Sequence, residues 1–329
     1  MSASPPPRQR SHQQVGLALA VVASVTFGTS GIVARSLLNA GWSPIAAVTA
    51  RAAGAALLVA PLGYVALRGD IRRLARSWKR VVALGLFGVG GAQVGYFAAV
   101  ERMPVGIALL IEFQAPVMLI LFTWMRTRSA PQRPTIWGAI VATLGLVLVL
   151  DLGGGTLDPV GVAWALFAAV SVAIYFHITG TPDPEELPPI ALTSGALVVG
   201  TVALLLVGGV GLLPLEASTA RMELLGTDVP WWLPVLAVIV VSTAIPYATS
   251  IAAMGRLGAR LGSFVSLLEL LSAIVFAWLV FSERPTALQA LGGAFILAGI
   301  LLVQNSDATP QVVRDALPDD LERTDALTH

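Results

Sequence analysis

Long apolar runs separated by short polar connections dominate this chain. Ten runs are each long enough for a membrane-crossing helix, at residues 15–35, 44–66, 80–100, 104–125, 134–151, 159–178, 188–211, 231–253, 260–281 and 286–304. A helix rises about 1.5 Å per residue, so about 20 apolar residues cross the hydrocarbon layer. The first run continues past signal-peptide length and is followed by many others, so it reads as a retained helix. Residues 1–14 are rich in Pro, Ser and Gln and predict a disordered tail, while 305–329 carry Asp315, Asp319, Asp320, Glu322 and Asp325 and predict a solvated acidic tail.

Composition agrees with the pattern. Hydrophobic residues make up 56% of the chain and charged ones 12%, with a mean hydropathy of +0.81. A soluble protein carries roughly a quarter of its residues as charges. The net charge of +1 gives no reason to expect a nucleic-acid partner, and the absence of cysteine removes disulfides, thiolate metal sites and cysteine nucleophiles. The only lysine, Lys79, lies in a basic connection outside any phosphate-binding motif, and no metalloprotease or nucleophile-elbow motif occurs. The expectation is therefore an all-α integral membrane protein that is not an enzyme, with no cofactor, metal or catalytic residue, whose partners are lipid and a small molecule.

Basic residues set the orientation. With the N-terminus inside, 15 of the 20 fall in inner segments, among them Arg68, Arg72, Arg73, Arg76, Lys79 and Arg80. Both termini are then cytoplasmic, in the inner (plasma) membrane. The connection between spans 6 and 7 is an exception, because it should be inside yet carries Asp183, Glu185 and Glu186 with no Arg or Lys.

The two halves repeat. Span 4 contains Gly106-Ile-Ala-Leu-Leu-Ile-Glu112, and span 9 contains Ser263-Phe-Val-Ser-Leu-Leu-Glu269. The span after each carries glycines seven apart, Gly138 and Gly145 in one half, Gly292 and Gly299 in the other. This predicts repeats at 15–152 and 153–304. Five helices per unit is odd, so the second copy would enter the membrane inverted. Inverted repeats are a mark of transporters, with the binding site near mid-membrane between them.

Three ionisable residues lie well inside spans: Arg51, Glu112 and Glu269. A charge at mid-membrane costs on the order of 2.5–3.5 kcal/mol on insertion scales and marks cavities or partners. The glutamates suit an ammonium-bearing cargo or a proton; equally, they fix helix packing. Arg51 suits a cargo carboxylate, or a structural pairing, or a position near the outer interface. Tyr96, Gln114, Tyr247 and His177, with Gln93, Tyr175, Ser242 and Thr243, form a group of polar span residues able to line a cavity or to hydrogen-bond between helices. Gly91-x-x-x-Gly95 predicts close helix approach. Pro116 and Pro246 predict kinks in spans 4 and 8, freeing carbonyls.

These residues resemble the EamA family of the drug/metabolite transporter superfamily over residues 15–304, and most closely its threonine/homoserine exporter-like members. The likeness is carried by Pro104-Val-Gly-Ile-Ala-Leu-Leu-Ile-Glu112-Phe-Gln-Ala-Pro116, by residues 242–270, and by Phe281-Ser-Glu283-Arg-Pro285. It implies ten helices, both termini cytoplasmic, alternating access through a central cavity and export of small metabolites, amino acids among them. The reading that follows is an exporter of small polar metabolites, with threonine or homoserine-like amino acids as first cargo, driven by protons as coupling ion or by the substrate gradient itself. By position, Glu112, Glu269 and Glu283 fall on acidic positions of its motifs. One departure is Leu270, where the family commonly has proline after the glutamate, so span 9 should be straighter. Two other readings of the chain are an exporter of drug-like or aromatic compounds and a receptor or scaffold that moves nothing.

Overall fold

The computed structural model describes residues 7–128, 133–150, 158–181, 185–246, 249, 259–282 and 286–305. Tyr247, Glu283 and both tails beyond these limits lie outside the described residues. Fourteen α-helices are described: α1 Pro7–Gly28, α2 Ser30–Asn39, α3 Pro44–Ala66, α4 Arg72–Arg76, α5 Trp78–Ala83, α6 Ala92–Arg102, α7 Val105–Glu112, α8 Ala115–Thr127, α9 Arg133–Leu150, α10 Pro159–Gly180, α11 Pro189–Gly209, α12 Trp232–Ile239, α13 Ala259–Phe281 and α14 Ala287–Asn305. Two π-helical segments, Leu84–Gly91 and Val240–Ala244, continue α5 into α6 and extend α12. The helices begin within the first residues that α1 shares with the expected disordered tail, so helix reaches further toward the N-terminus than the composition predicts.

Among the described residues, six stretches are long and apolar enough to cross a membrane: Val15–Asn39, Pro44–Ala66, Trp78–Arg102, Val105–Arg126, Pro159–Thr179 and Pro189–Gly209. Four shorter apolar helices accompany them among the described residues, Thr135–Val149, Trp232–Ala244, Leu268–Phe281 and Ala287–Gly299. Large apolar side chains stand outward on these helices; Leu57 and Met125 are each 77% exposed. Apolar exposure on this scale fits a lipid-facing surface.

The chain forms two compact units. The larger comprises residues 1–115 and 155–285. Small residues let its helices approach closely, as expected where lipid offers no hydrophobic drive to association. A Cβ on Gly95 would stand 2.9 Å from backbone atoms of Trp164 and Ala168 of α10, and one on Gly91 would meet the Ser171 hydroxyl. The glycine pair thus packs as its spacing predicts. Gly85 lies against Gly200 of α11 on another side of the same π-helical segment. Gly28 of α1 packs on Ser272 and Ala273 of α13, and Gly106 of α7 on Ile274 of α13.

The smaller unit comprises residues 116–154 and 286–329. Here the two repeated glycine pairs meet. A Cβ on Gly145 would lie 2.6 Å from the Gly292 carbonyl oxygen, and one on Gly299 would lie 2.5 Å from the Gly138 carbonyl. The pairing of 145 with 292 and of 138 with 299 means that α9 and α14 run antiparallel.

Polar connections pair at two ends of the larger unit. Arg73 donates to the Glu185 carbonyl at 2.7 Å, Arg76 pairs with the Glu185 carboxylate at 3.3 Å, and Arg80 donates to the Thr181 carbonyl. The acidic connection that broke the charge rule therefore sits against the basic one. At other connections, Arg102 donates to Asp158 at 2.9 Å, which holds that carboxyl below the usual carboxylate range. Trp42 Nε1 donates to the Ser218 carbonyl, and Ser43 caps α3 through the Ala46 N–H.

A short hairpin, β1 Met222–Leu224 and β2 Thr227–Val229, stands where the sequence predicts only a loop. Its two-residue turn, Leu225-Gly226, has φ of +54° and +76°. That is the primed turn that tight hairpins use.

Candidate functional site

Two prolines shape the site by withholding an N–H. A proline cannot bond the carbonyl four residues earlier. Pro116 leaves the Glu112 carbonyl without its helical donor, and span 4 breaks one turn earlier: α7 ends at Glu112, and α8 starts at Ala115 after a turn at Phe113 and Gln114. Span 9 has Leu270 and no proline there, and α13 is continuous with Leu270 fully buried. The helix is unbroken at the position where span 4 breaks. Pro246 likewise leaves the Ser242 carbonyl free, and the backbone before it is π-helical over Val240–Ala244. Within this segment the Thr243 hydroxyl donates to the Val238 carbonyl five residues back. Such π-segments cluster at functional sites.

Arg51 takes the carbonyl that Pro246 frees. It lies in the third turn of α3 and is only 6% exposed. Its Nη2 donates to the Ser242 carbonyl at 3.2 Å and its Nε to Thr243 Oγ1 at 2.8 Å. Its Nη1 donates to Ser30 Oγ at 2.8 Å and to Gln93 Oε1 at 2.7 Å. The Phe97 ring lies 6.0 Å from the guanidinium carbon. Arg51 thus turns inward instead of snorkelling to the interface. One side chain joins α2, α3, α6 and the π-helical segment after α12. Ser242 Oγ in turn shares a 2.9 Å hydrogen bond with Thr29 Oγ1.

Glu112 and Glu269, both half-buried, lie within electrostatic reach of Arg51 and of each other. The three ionisable residues picked out along the sequence therefore act on one another electrostatically. A cavity of about 30 Å³ abuts Arg51, Gln93 and Thr243 and is otherwise walled by Val48, Ala52, Ala55, Gly88, Val89 and Leu197. A larger hollow of about 440 Å³ lies under the hairpin, with Ser36, Asn39, Arg221 and Glu223 on its walls. Arg221 there is engaged by Asp228 at 2.6 Å.

The other candidates scatter. Tyr96 is buried, with its hydroxyl against Gly31 of α2. Gln114 is 2% exposed, and its amide nitrogen has no partner among the described residues. Tyr175 packs against Gly88. His177 sits in the last turn of α10, at a helix end. Ser30 and Thr29 went unnoticed in the sequence, although two adjacent hydroxyl residues in the middle of an apolar run are the signal that would have found them. Among the described residues no cluster of His, Asp and Glu could hold a metal ion.

Similar proteins point the same way. The threonine/homoserine exporter RhtA of Salmonella typhimurium (strain SL1344) is 30% identical over 218 residues, 64% of this chain and 66% of that protein, so the match spans slightly less than two thirds of its length. The RhtA of Escherichia coli (strain K12) is 29% identical over 69% of this chain and 73% of its own. Protein PecM of Dickeya dadantii is 23% identical over 87% of this chain and 91% of its own. One crystal structure, 19% identical, superposes with a TM-score of 0.55 over 94% of this chain and 99% of its own, a likeness of fold alone. The EamA-like transporter family matches twice, over residues 14–151 and 159–304. With nearly the whole chain covered by these two matches, the protein belongs to the EamA-like transporter family.

Proposed function

We propose that this transporter exports small polar metabolites, with amino acids such as threonine or homoserine as cargo, by alternating access across the inner membrane. The observation that carries this reading is the electrostatic influence of Arg51, Glu112 and Glu269 on one another within the membrane-spanning helices. An α-amino acid bears one anionic and one cationic group, and the cluster offers a partner to each. The names of the RhtA relatives supply the cargo class. Glu112 and Glu269 bind the ammonium or carry a coupling proton, and Tyr96, Gln114, Tyr247 and His177 line the route.

Ten spans form two inverted repeats, 15–152 and 153–304, in this proposal. The double family match supports it, as does the antiparallel meeting of the two glycine pairs. Helix neighbours support it as well: α1 packs on α13 in the way that α10 packs on α7, which is the exchange an inverted repeat requires. The arginine bias, with the acidic 6–7 connection seated on Arg73 and Arg76, supports cytoplasmic termini.

The test is efflux of a labelled metabolite panel from vesicles holding the purified protein, wild type beside Glu112→Gln and Glu269→Gln. Amino-acid release that falls at least ten-fold in either variant is expected. Full export by both variants removes the proposed role of the glutamates, and export indifferent to a collapsed pH gradient removes proton coupling.

A further inference from the structure

We infer that the connection between spans 2 and 3 binds an anionic phospholipid, whose acyl chains lie on the outer flank of α3 and whose phosphate meets Arg68, Arg72 and Lys79. The inference concerns the lipid around the protein and holds whatever the cargo is.

The charge comes first. Residues 68–80 carry six cations, Arg68, Arg72, Arg73, Arg76, Lys79 and Arg80. They fall into two sets. Arg73, Arg76 and Arg80 turn toward the connection before α11, where they meet the Glu185 and Glu186 carbonyls, the Glu185 carboxylate and the Thr181 carbonyl. Arg68, Arg72 and Lys79 are exposed, and among the described residues none of them forms an ion pair. The acids that face this end are Asp70, Glu185 and Glu186, and one Asp70 oxygen accepts the Arg72 backbone N–H. Cations therefore outnumber acids here among the described residues. A polybasic segment next to a span is attracted to anionic headgroups, each cation strengthening binding about five-fold.

The apolar half of the site lies on α3. Leu57, Leu58, Leu62 and Val65 are all exposed, Val65 by 72%, and their spacing makes one stripe along the helix. Arg68 comes three residues after Val65, just past the end of α3. The turn there folds back on the helix, because a Cβ on Gly69 would stand 3.3 Å from the exposed Tyr64 hydroxyl. An apolar stripe thus leads to a phenol and then to a free cation, the order in which a lipid presents its chains, its interface and its phosphate.

The next residues complete the surface. Leu74 of α4 packs inward against Gly195 of α11, while Ile71, Arg72, Trp78 and Lys79 stay outside. Trp78 is 56% exposed, and the Lys79 ammonium lies 5.8 Å from its ring. An indole is at home at the level of the headgroups. A free phosphate would use the cations and leave the stripe, Ile71 and Trp78 without a purpose; a lipid uses all of them. Phosphatidylcholine cancels its phosphate with its own ammonium, so the surface selects an anionic headgroup.

The experiment is native mass spectrometry of the full chain in detergent, titrated with phosphatidylglycerol or phosphatidylcholine of the same acyl chains. Wild type should bind phosphatidylglycerol at a concentration at least five-fold below phosphatidylcholine. Arg68→Gln, Arg72→Gln and Lys79→Gln combined should bring the two lipids within about two-fold. Arg68→Lys, Arg72→Lys and Lys79→Arg combined keep the charge and should keep the preference, as should Arg221→Gln on the hairpin. A second reading locates the lipid. Phosphatidylglycerol with brominated chains should quench tryptophan fluorescence more than brominated phosphatidylcholine, and the excess should vanish in Trp78→Phe. Equal binding of the two lipids by wild type overturns the inference, as does a preference that survives the three glutamines or an excess of quenching that survives Trp78→Phe. Displacement of phosphatidylglycerol by inorganic phosphate also overturns it, because it marks a site for free anions. Should the glutamine variant fail to fold, the quenching comparison decides alone.

Discussion

Replacing Gly145 by alanine probes the contact through which the repeated glycines work. The added Cβ would stand 2.6 Å from the Gly292 carbonyl oxygen and 2.7 Å from the Ile296 nitrogen. Both are backbone atoms of α14, so no side chain can rotate out of the way. Ordinary contact needs about 3.5 Å, so the two helices must separate by about 1 Å along this seam. Overpacking of this kind costs about 1–3 kcal/mol, and the separation also forfeits dispersion between α9 and α14. Gly209 of α11 is the control, since it is exposed and a Cβ there would meet nothing within 4 Å. Alanine at that position removes backbone freedom from the unfolded chain and should leave stability unchanged or slightly raised. The assay is thermal unfolding in detergent followed by tryptophan fluorescence, with Trp137 on α9 as one reporter. Gly145→Ala should melt clearly below wild type and Gly209→Ala should not. A Gly145→Ala protein as stable as wild type would refute the close antiparallel packing of α9 on α14.

Two further outcomes follow from the geometry. Gln114→Leu removes a buried amide whose nitrogen has no partner among the described residues, so thermal stability should hold within about 1 kcal/mol, while a loss of threonine efflux in the same protein would assign the amide to the cargo. Because the chain has no cysteine, single Arg76→Cys and Glu185→Cys variants can be labelled from either side of the membrane with an impermeant thiol reagent. Both should label from the cytoplasmic side, and opposite sides would contradict their 3.3 Å pairing.

The sequence carries the helices and the charged cluster for different reasons. Spans are legible because lipid demands about 20 apolar residues in a row, a requirement that composition cannot hide. Arg51, Glu112 and Glu269 stand out because charges inside spans are rare. Glycine pairs are legible as spacing, and their partners across α9 and α14 emerge only from packing. The π-helical segments have no signature in apolar periodicity; Leu84–Gly91 shows only as a run of glycines. Pro116 announces a kink, yet the break lies at Phe113 and Gln114, because the missing hydrogen bond belongs to the carbonyl one turn earlier. The role of Ser30 is not legible locally, because span hydroxyls usually bond their own helix and its partner is an arginine 21 residues away. The hairpin escaped because a leucine at positive φ in its turn is unlike the Asn-Gly or Asp-Gly pairs that mark such turns.

The central claim is that Arg51, Glu112 and Glu269 act as one site. Its most direct test is a double-mutant cycle on labelled threonine efflux, comparing Glu112→Gln, Glu269→Gln and the two combined. One shared site predicts that each single change lowers efflux at least ten-fold and that the pair is scarcely worse than either alone, the non-additivity of neighbouring groups. Independent losses that multiply, or full efflux from both single variants, would contradict it.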